Sequence, residues 1–170
     1  YRRIIADREN VAFDLGRVTV DLLSLRTACQ YGADSMSTEA LRQAAEGLQG
    51  DFLEGLELAD CLEFQRWSIG EREETRRLRV RLLAALVARL EGVPDDALPH
   101  ARALSLIEPE NESTQATLVR LLRATGRWRE AEAYAQTAER RLAEFNVVRT
   151  GALRQAARLH RPGLAAQRRP

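Results

Sequence analysis

Along most of the chain, apolar residues recur every three or four positions, which is the spacing of one face of an α-helix. This pattern predicts seven helices, near residues 22–30, 38–48, 62–91, 95–107, 112–125, 128–144 and 149–160. The longest is apolar at both ends and charged in its middle, so we expect its ends to be buried and its centre to face solvent. Its aromatic residues Phe64 and Trp67 are expected in the core; if either is exposed, it becomes a natural anchor for a partner protein.

The first fifteen residues show a different pattern. Two short apolar runs, at residues 3–6 and 11–15, lie on either side of a polar segment that suits a turn, and the second run alternates with period two. These features predict a β-hairpin. Because an isolated hairpin is barely stable in water, we interpret this one as the junction with another domain.

Polar residues mark the expected helix ends. Asp21, Ser37 or Thr38, and Asp60 each precede an apolar helical pattern. Their side-chain oxygens can accept hydrogen bonds from the first free backbone N–H groups of a helix, so we expect them to be N-caps. Gly50 follows the second pattern and is expected to stop it.

Two glycines and two alanines recur at one spacing. Gly92 and Gly126 are 34 residues apart, and so are Ala97 and Ala131. Pro109 closes the first copy, because proline cannot continue a helix. A period of 34 residues is typical of tetratricopeptide repeats, in which each copy is a pair of helices. Chance recurrence in an alanine-rich chain is the alternative, which the shared spacing and the proline disfavour.

Each repeated residue has a physical reason for its place. Gly92 and Gly126 end the first helix of a pair, where a left-handed residue is easiest for glycine. Ala97 and Ala131 fall where the helices of a pair cross, and small side chains let the axes approach. Trp128 is expected to fill the gap between successive pairs. The pattern predicts an all-α, tetratricopeptide-like solenoid of helix hairpins with a short N-terminal β-hairpin, its open end covered by the last helix.

Composition limits the possible chemistry. A chain of 170 residues suits one domain, and no run approaches the roughly 20 apolar residues of a membrane span. Cys29 and Cys61 stand alone, and His100 and His160 have no cysteines or paired acids at ligand spacing. A glycine-rich phosphate loop is also missing. We therefore predict a cytoplasmic protein with no catalytic site, metal or cofactor.

Charge is unevenly distributed. The formal net charge is +1, yet residues 146–170 carry six arginines and no acid. This segment could contact nucleic acid or an acidic partner, or it could be a solvated last helix and chain end.

A solenoid of helix pairs has a concave face, which the first helix of each pair lines. Arginines beside leucines on such a face suit an acidic, apolar peptide, because guanidinium groups bind carboxylates bidentately. The alternative is that the arginines are solvated or paired within the domain. Counting from the two turn glycines predicts the following lining: Arg79, Leu82, Leu86 and Arg89 from the first unit, and Ser113, Ala116, Arg120 and Arg123 from the second.

The first half of the chain carries further motifs. Val18-Thr19-Val20-Asp21 leads into a helix, GDFLEGL at residues 50–56 forms an acidic connector, and EFQRW at residues 63–67 with ERE at residues 71–73 opens a long helix. In this order, followed by tetratricopeptide-like pairs, they resemble the bacterial transcriptional activation domain of antibiotic-regulatory-protein (SARP) type regulators. The resemblance covers nearly the whole chain.

The resemblance implies a non-catalytic, cytoplasmic regulator of transcription. Its partners would be the winged-helix DNA-binding domain of the same regulator, the transcription machinery and a second copy of itself, so DNA would be contacted only indirectly. No recognition helix with a basic face lies within the chain. The expected divisions are a hairpin junction, the first helices with the long connecting helix, two repeats with a capping helix, and a basic tail, at residues 1–20, 21–77, 78–161 and 162–170.

Two other interpretations stay open. One is a stand-alone tetratricopeptide adaptor that binds acidic peptides, and the other is a helical regulatory domain of a larger signalling ATPase or cyclase. The motifs within residues 11–67 favour the regulator, since a generic adaptor would begin directly with its repeats.

Overall fold

The computed structural model describes residues 4–9, 11–14, 16, 20–48, 50–145 and 150–158. It confirms the all-α class, with a short hairpin before the helices. The elements are β1 (Ile4–Ala6), β2 (Val11–Phe13), α1 (Asp21–Ala28), a 3₁₀ turn (Ala33–Ser35), α2 (Thr38–Gly47), α3 (Leu62–Arg89), α4 (Pro94–Ile107), α5 (Glu112–Ala124), α6 (Trp128–Glu144) and α7 (Ala152–Arg158).

The predicted hairpin is present. β1 and β2 pair antiparallel, with Ile4 opposite Phe13 and Ala6 opposite Val11. The side chains of Ile4 and Ile5 are exposed. The hairpin therefore offers apolar surface that the described residues leave uncovered.

One predicted cap is confirmed and two are wrong. The Ser37 hydroxyl accepts a hydrogen bond from the Ala40 N–H at 3.1 Å, at the start of α2. Asp21 is instead the first residue of α1, which begins one position early because the Ser24 N–H already bonds to the Val20 carbonyl. The N-cap of α3 is Cys61 rather than Asp60, and its side chain accepts no capping hydrogen bond.

From α3 onward, each helix packs against the next, and short turns join α3 to α4, α4 to α5 and α5 to α6. The pairs α3–α4 and α5–α6 are the two predicted helix hairpins. α7 packs on α5 and α6 and so covers the end of the stack, as expected. Of the predicted last helix, Thr150 and Gly151 precede α7 and are not helical, and residues 149, 159 and 160 lie outside the described part of the chain.

Leucines and alanines fill the space between the helices. Leu82 and Leu86 of α3 and Leu118 and Leu122 of α5 are almost completely buried. Where the helices of each pair meet, Ala97 in α4 and Ala131 in α6 have no exposed surface. A larger side chain at either alanine would push the packed helices apart.

The glycines of the two copies differ. Gly126 has φ +76°, and the turn after α5 is closed by hydrogen bonds from Gly126 to Arg123 and from Arg127 to Leu122. Gly92 has no positive φ, so the prediction of a left-handed residue there is wrong. The reason is where the preceding helix ends. α3 ends at Arg89, three residues before Gly92, whereas α5 ends at Ala124, two residues before Gly126, so the two glycines occupy different positions after the helix end.

The prediction that both ends of α3 are buried is also wrong. Its C-terminal half is covered, but Leu62, Trp67 and Ile69 near its start are 66, 49 and 64 % exposed. The cause is length. α3 has 28 residues and α4 has 14, so α4 can cover only about half of its neighbour.

A buried amide links three helices. Gln115 in α5 is 1 % exposed, and its nitrogen donates to the carbonyls of Ser105 and Glu108 at 3.3 and 2.8 Å. Its oxygen accepts a hydrogen bond from the Tyr134 hydroxyl of α6. Both ends of the amide are therefore satisfied, which buried polar groups require.

A buried carboxylate anchors α7 to α5. Glu112 is 7 % exposed and accepts hydrogen bonds from the Leu153 N–H at 3.1 Å and the Thr150 hydroxyl at 3.0 Å, and from the Thr150 N–H. Burial raises the pKa of Glu112, but these donors outweigh it, so the pKa lies below its ordinary value. The charged form is therefore the one that the fold stabilises.

We expect Ala131→Leu to lower the free energy of unfolding by about 2 kcal/mol, because the added volume has no space at the crossing of α5 and α6. Urea denaturation measures the change. Ala133→Leu, at an exposed position of the same helix, is the control and should shift stability by less than about 0.5 kcal/mol. Equal effects of the two substitutions would show that Ala131 is not at a close helix contact.

Glu112→Gln should destabilise the fold by about 2 kcal/mol at neutral pH, because the new amide N–H₂ faces backbone donors. The folded pKa is lowered, so the carboxylate stabilises the fold above its ordinary pKa, and this contribution is lost as pH falls through the folded value. The difference between wild type and variant should therefore shrink below about pH 4. Denaturation curves from pH 7 downward test this, and a difference independent of pH contradicts it.

Candidate protein-binding surfaces

A groove of about 490 Å³ is lined by residues of α3, α4 and α5 and of the turn between α3 and α4. We call it the α3–α5 groove. Its lining is mostly small and apolar, with three hydroxyls and one charge of each sign: Ala84, Val87, Ala88, Glu91, Pro94, Leu104, Ser113, Thr114, Thr117, Arg120, Leu121 and Ala124.

The exposed lining residues on each helix stand one or two helical turns apart. Ala84 and Ala88 come from α3, and Ser113, Arg120 and Ala124 come from α5. The alanine side chains are short, so they leave room above the helix surface for another chain. The groove is therefore an apolar trough with polar groups along its α5 side.

The sequence placed the wrong face of α3 in this groove. Leu82 and Leu86 are 0 % exposed and belong to the core, so they cannot line a binding surface. Ala84 and Ala88, two positions further along, take that place. Burying the larger apolar side chains and leaving alanines outside removes more apolar area from water. The small residues preceding Gly92 in the repeat were the signal that could have identified this face.

Of the predicted residues on α5, Ser113 and Arg120 do line the groove. The Arg120 guanidinium is exposed and donates to the Thr117 hydroxyl at 2.8 Å. Ala116 is 2 % exposed and lies in the core instead. One of the four predicted arginines is therefore available in the groove itself.

The other three predicted arginines lie elsewhere. Arg123 is half-buried, donates to the Ala157 carbonyl of α7, and holds its guanidinium 5.5 Å from the ring centre of Trp128. Arg89 donates to the Asp34 carbonyl at 3.2 Å. Arg79 lines a separate cavity beside the loop at residues 50–52. Arg123 and Arg89 thus make contacts within the domain, as the alternative interpretation held.

Trp128, predicted to fill the gap between helix pairs, is half-buried at the start of α6. Its ring contact is with Arg123, in the same helix pair. That pairing is a cation–π contact, which favours a guanidinium over the ring face.

Three aromatic rings cluster where the connector meets the start of α3. The ring of Phe52 lies 5.7 Å from that of Trp67 at 79°, and the ring of Phe64 lies 5.6 Å from it at 46°. We call these residues the aromatic cluster. Trp67 is 49 % exposed, so the prediction that it belongs to the core is wrong, whereas Phe64 is half-buried. Further exposed apolar side chains come from the same segment: Leu56, Leu58, Leu62 and Ile69.

The side chains that could take part in catalysis or metal binding do not form a cluster among the described residues. The Cys29 thiol contacts the Met36 sulfur at 3.7 Å, and burial raises its pKa, with Arg81 acting against that. Burial and the charge of Arg42 lower the pKa of His100. Within the described ranges, no three histidine, cysteine or acidic residues could hold a metal ion. His160 lies outside them.

None of the helices that the structure describes is long and apolar enough to cross a membrane.

The comparison with known proteins agrees with this architecture. No curated protein and no solved structure matches the chain. The family model of the bacterial transcriptional activator domain matches residues 13–165, which span α1 to α7 and both surfaces described above. The chain therefore belongs to the bacterial transcriptional activator domain family.

Proposed function

We propose that this domain is the regulatory, protein-interaction part of a bacterial transcription regulator, that it acts in the cytoplasm, and that it catalyses no reaction. The family is a regulatory one, which supports the first point. The observation that carries the proposal is the α3–α5 groove, an apolar trough between two stacked helix pairs. Such grooves suit an extended or helical segment of another protein.

The groove also indicates what kind of segment it takes. Its floor accepts apolar side chains, and Arg120 offers an exposed guanidinium on the α5 side. An apolar peptide with a carboxylate placed to meet Arg120 complements both features. Glu91 adds an acid to the lining, so a uniformly acidic peptide fits less well than one of mixed charge. We propose that this peptide segment belongs to a protein of the transcription machinery.

The aromatic cluster supports a second contact. Trp67 exposes about half of its surface, and tryptophan is among the residues that contribute most to protein interfaces. Exposed leucines of the connector and of α3 surround the same segment, and clustered apolar surface marks an interaction site. We propose that the winged-helix DNA-binding domain of the same regulator docks here, so that DNA is reached indirectly. A second copy of this domain is the competing occupant.

Arg120→Glu should weaken binding to the host RNA polymerase holoenzyme by about tenfold or more, because it replaces the groove's cation with a repelling acid. Biolayer interferometry with purified polymerase measures the affinity. Arg140→Glu makes the same charge change at an exposed position of α6, outside the groove lining, and should have little effect. Equal affinities of wild type and Arg120→Glu would remove the groove from the proposal.

Trp67→Ala should lower the thermal stability of the domain modestly, because half of the side chain is buried beside Phe52 and Phe64, and should weaken docking of a separately supplied winged-helix domain. Calorimetric titration measures the docking, and sedimentation measures self-association. Tyr31→Ala removes a tyrosine that is 81 % exposed and lies outside the aromatic cluster, so it serves as the control. If Trp67→Ala loses self-association alone, the aromatic cluster binds a second copy of this domain. If neither docking nor self-association changes, the cluster is not an interface.

A further inference from the structure

A second cavity, of about 320 Å³, lies on another side of α3. It is closed by the loop after α2, by four residues of α3 and by the end of α4, and its lining is Gly50, Asp51, Phe52, Arg72, Thr75, Arg76, Arg79, Leu106 and Ile107. The size lies within the ordinary range for small-ligand sites. We propose that this cavity binds the phosphoryl group of a small molecule or free phosphate. The site is separate from the groove and the aromatic cluster, and the inference does not depend on the proposed protein contacts.

The first support is charge. Arg72, Arg76 and Arg79 stand four and three residues apart, so all three lie on one face of α3. Like charges at these spacings destabilise a helix. Asp51 is the one acid among the described residues of the lining, and Arg76 forms an ion pair with Glu110 at 3.8 Å, with both side chains nearly half exposed. A bound anion would relieve the repulsion among the three guanidinium groups.

The second support is orientation. The Arg72 guanidinium donates to the carbonyls of Phe52 and Leu53 at 3.0 and 3.1 Å, and Arg76 donates to the Ile107 carbonyl. Neutral carbonyls hold these side chains in place without cancelling their charge. Arg79 makes no hydrogen bond or ion pair with any described residue, so all its donors are available. The positive groups are thus arranged before a ligand arrives, which lowers the entropy cost of binding it.

The third support is Thr75, which is 7 % exposed and lines the cavity between the arginines. Its hydroxyl has no hydrogen-bond partner among the residues that the structure describes. Other helical threonines in this protein, such as Thr117 and Thr137, donate to the carbonyl four residues back at 3.0 Å. A buried hydroxyl without a partner costs folding free energy, and an anion oxygen in the cavity would supply the missing acceptor.

The chemistry favours a phosphoryl group over a single carboxylate. Three arginines outnumber the one aspartate of the lining, and a phosphoryl group carries a charge of about −1.5 to −2 at neutral pH with three acceptor oxygens. Guanidinium groups match those oxygens in pairs. Phe52, Leu106 and Ile107 give the cavity apolar walls, which suit the carbon body of a phosphate ester.

The position of the cavity gives binding a structural consequence. Its lining joins the loop after α2 to the end of α4, two segments otherwise linked through α3. Arg72 bonds the loop after α2 and Arg76 bonds the end of α4, so an anion held by these arginines would fix both contacts at once. Ligand binding should therefore raise the thermal stability of the chain.

The test compares thermal unfolding and calorimetric titration with inorganic phosphate and with phenyl phosphate, against sodium chloride at equal ionic strength. Both phosphates should raise the melting temperature of the full chain, and chloride should not. Arg79→Gln should weaken binding by about tenfold or more, since one charge-assisted hydrogen-bond partner is lost. Arg66→Gln, an exposed arginine on the same helix outside the cavity, should bind as wild type does.

Thr75→Val separates a binding role from a structural one. Because the hydroxyl has no partner in the free protein, its removal should keep or raise the melting temperature without phosphate, yet weaken phosphate binding. Tighter binding of phenyl phosphate than of inorganic phosphate would identify a phosphate ester as the ligand. Equal binding of the two would identify free phosphate. The proposal is overturned if neither phosphate binds, or if Arg79→Gln binds both phosphates as wild type does.

Discussion

Close contact at two alanines is the constraint on which the rest of this structure depends. Ala97 and Ala131 have no exposed surface, and their small size lets α4 and α6 approach the helices that precede them. That approach brings the leucines of α3 and α5 into one continuous core. It also brings residues of α3, α4 and α5 together around the α3–α5 groove. The core and the candidate binding surface are thus two consequences of one packing arrangement.

Different parts of α3 contribute to the core and to the candidate binding surfaces. Its C-terminal half supplies Leu78, Leu82 and Leu86 to the core and alanines to the groove. Its N-terminal half carries the exposed Trp67, and the three arginines of the second cavity lie around its middle, from Arg72 to Arg79. Exposed apolar area and unpaired cations both lower the stability of an isolated domain. Their presence along one helix is what a domain built for contact with other molecules would show.

The sequence predicted the order of helices well because their signals are local. The apolar period and the Ser37 cap depend on residues close together in the chain, and the 34-residue spacing can be counted without knowing any contact. It failed where the outcome depends on distant packing. Periodicity shows that α3 has an apolar face, but not that Leu82 and Leu86 turn inward while Ala84 and Ala88 line the groove.

The same limit explains the residues that were missed. Arg123 is held by a carbonyl 34 residues away, and Glu112 by donors 38 and 41 residues away. Gln115 satisfies groups on two other helices. A repeat pattern describes each helix pair by itself, so contacts that bridge pairs or anchor α7 leave no periodic trace. The exposure of Trp67 has a related cause, since it follows from the unequal lengths of α3 and α4.

Site-specific photo-cross-linking tests the central claim most directly, namely that the α3–α5 groove receives another protein. A photoreactive phenylalanine would replace Thr117 inside the groove and, in a second variant, Gln136 on the exposed side of α6. Irradiation with the host RNA polymerase holoenzyme should give a covalent adduct with one polymerase subunit from position 117 and little from position 136. Adducts from position 136 alone, or equal yields from both, would contradict the account.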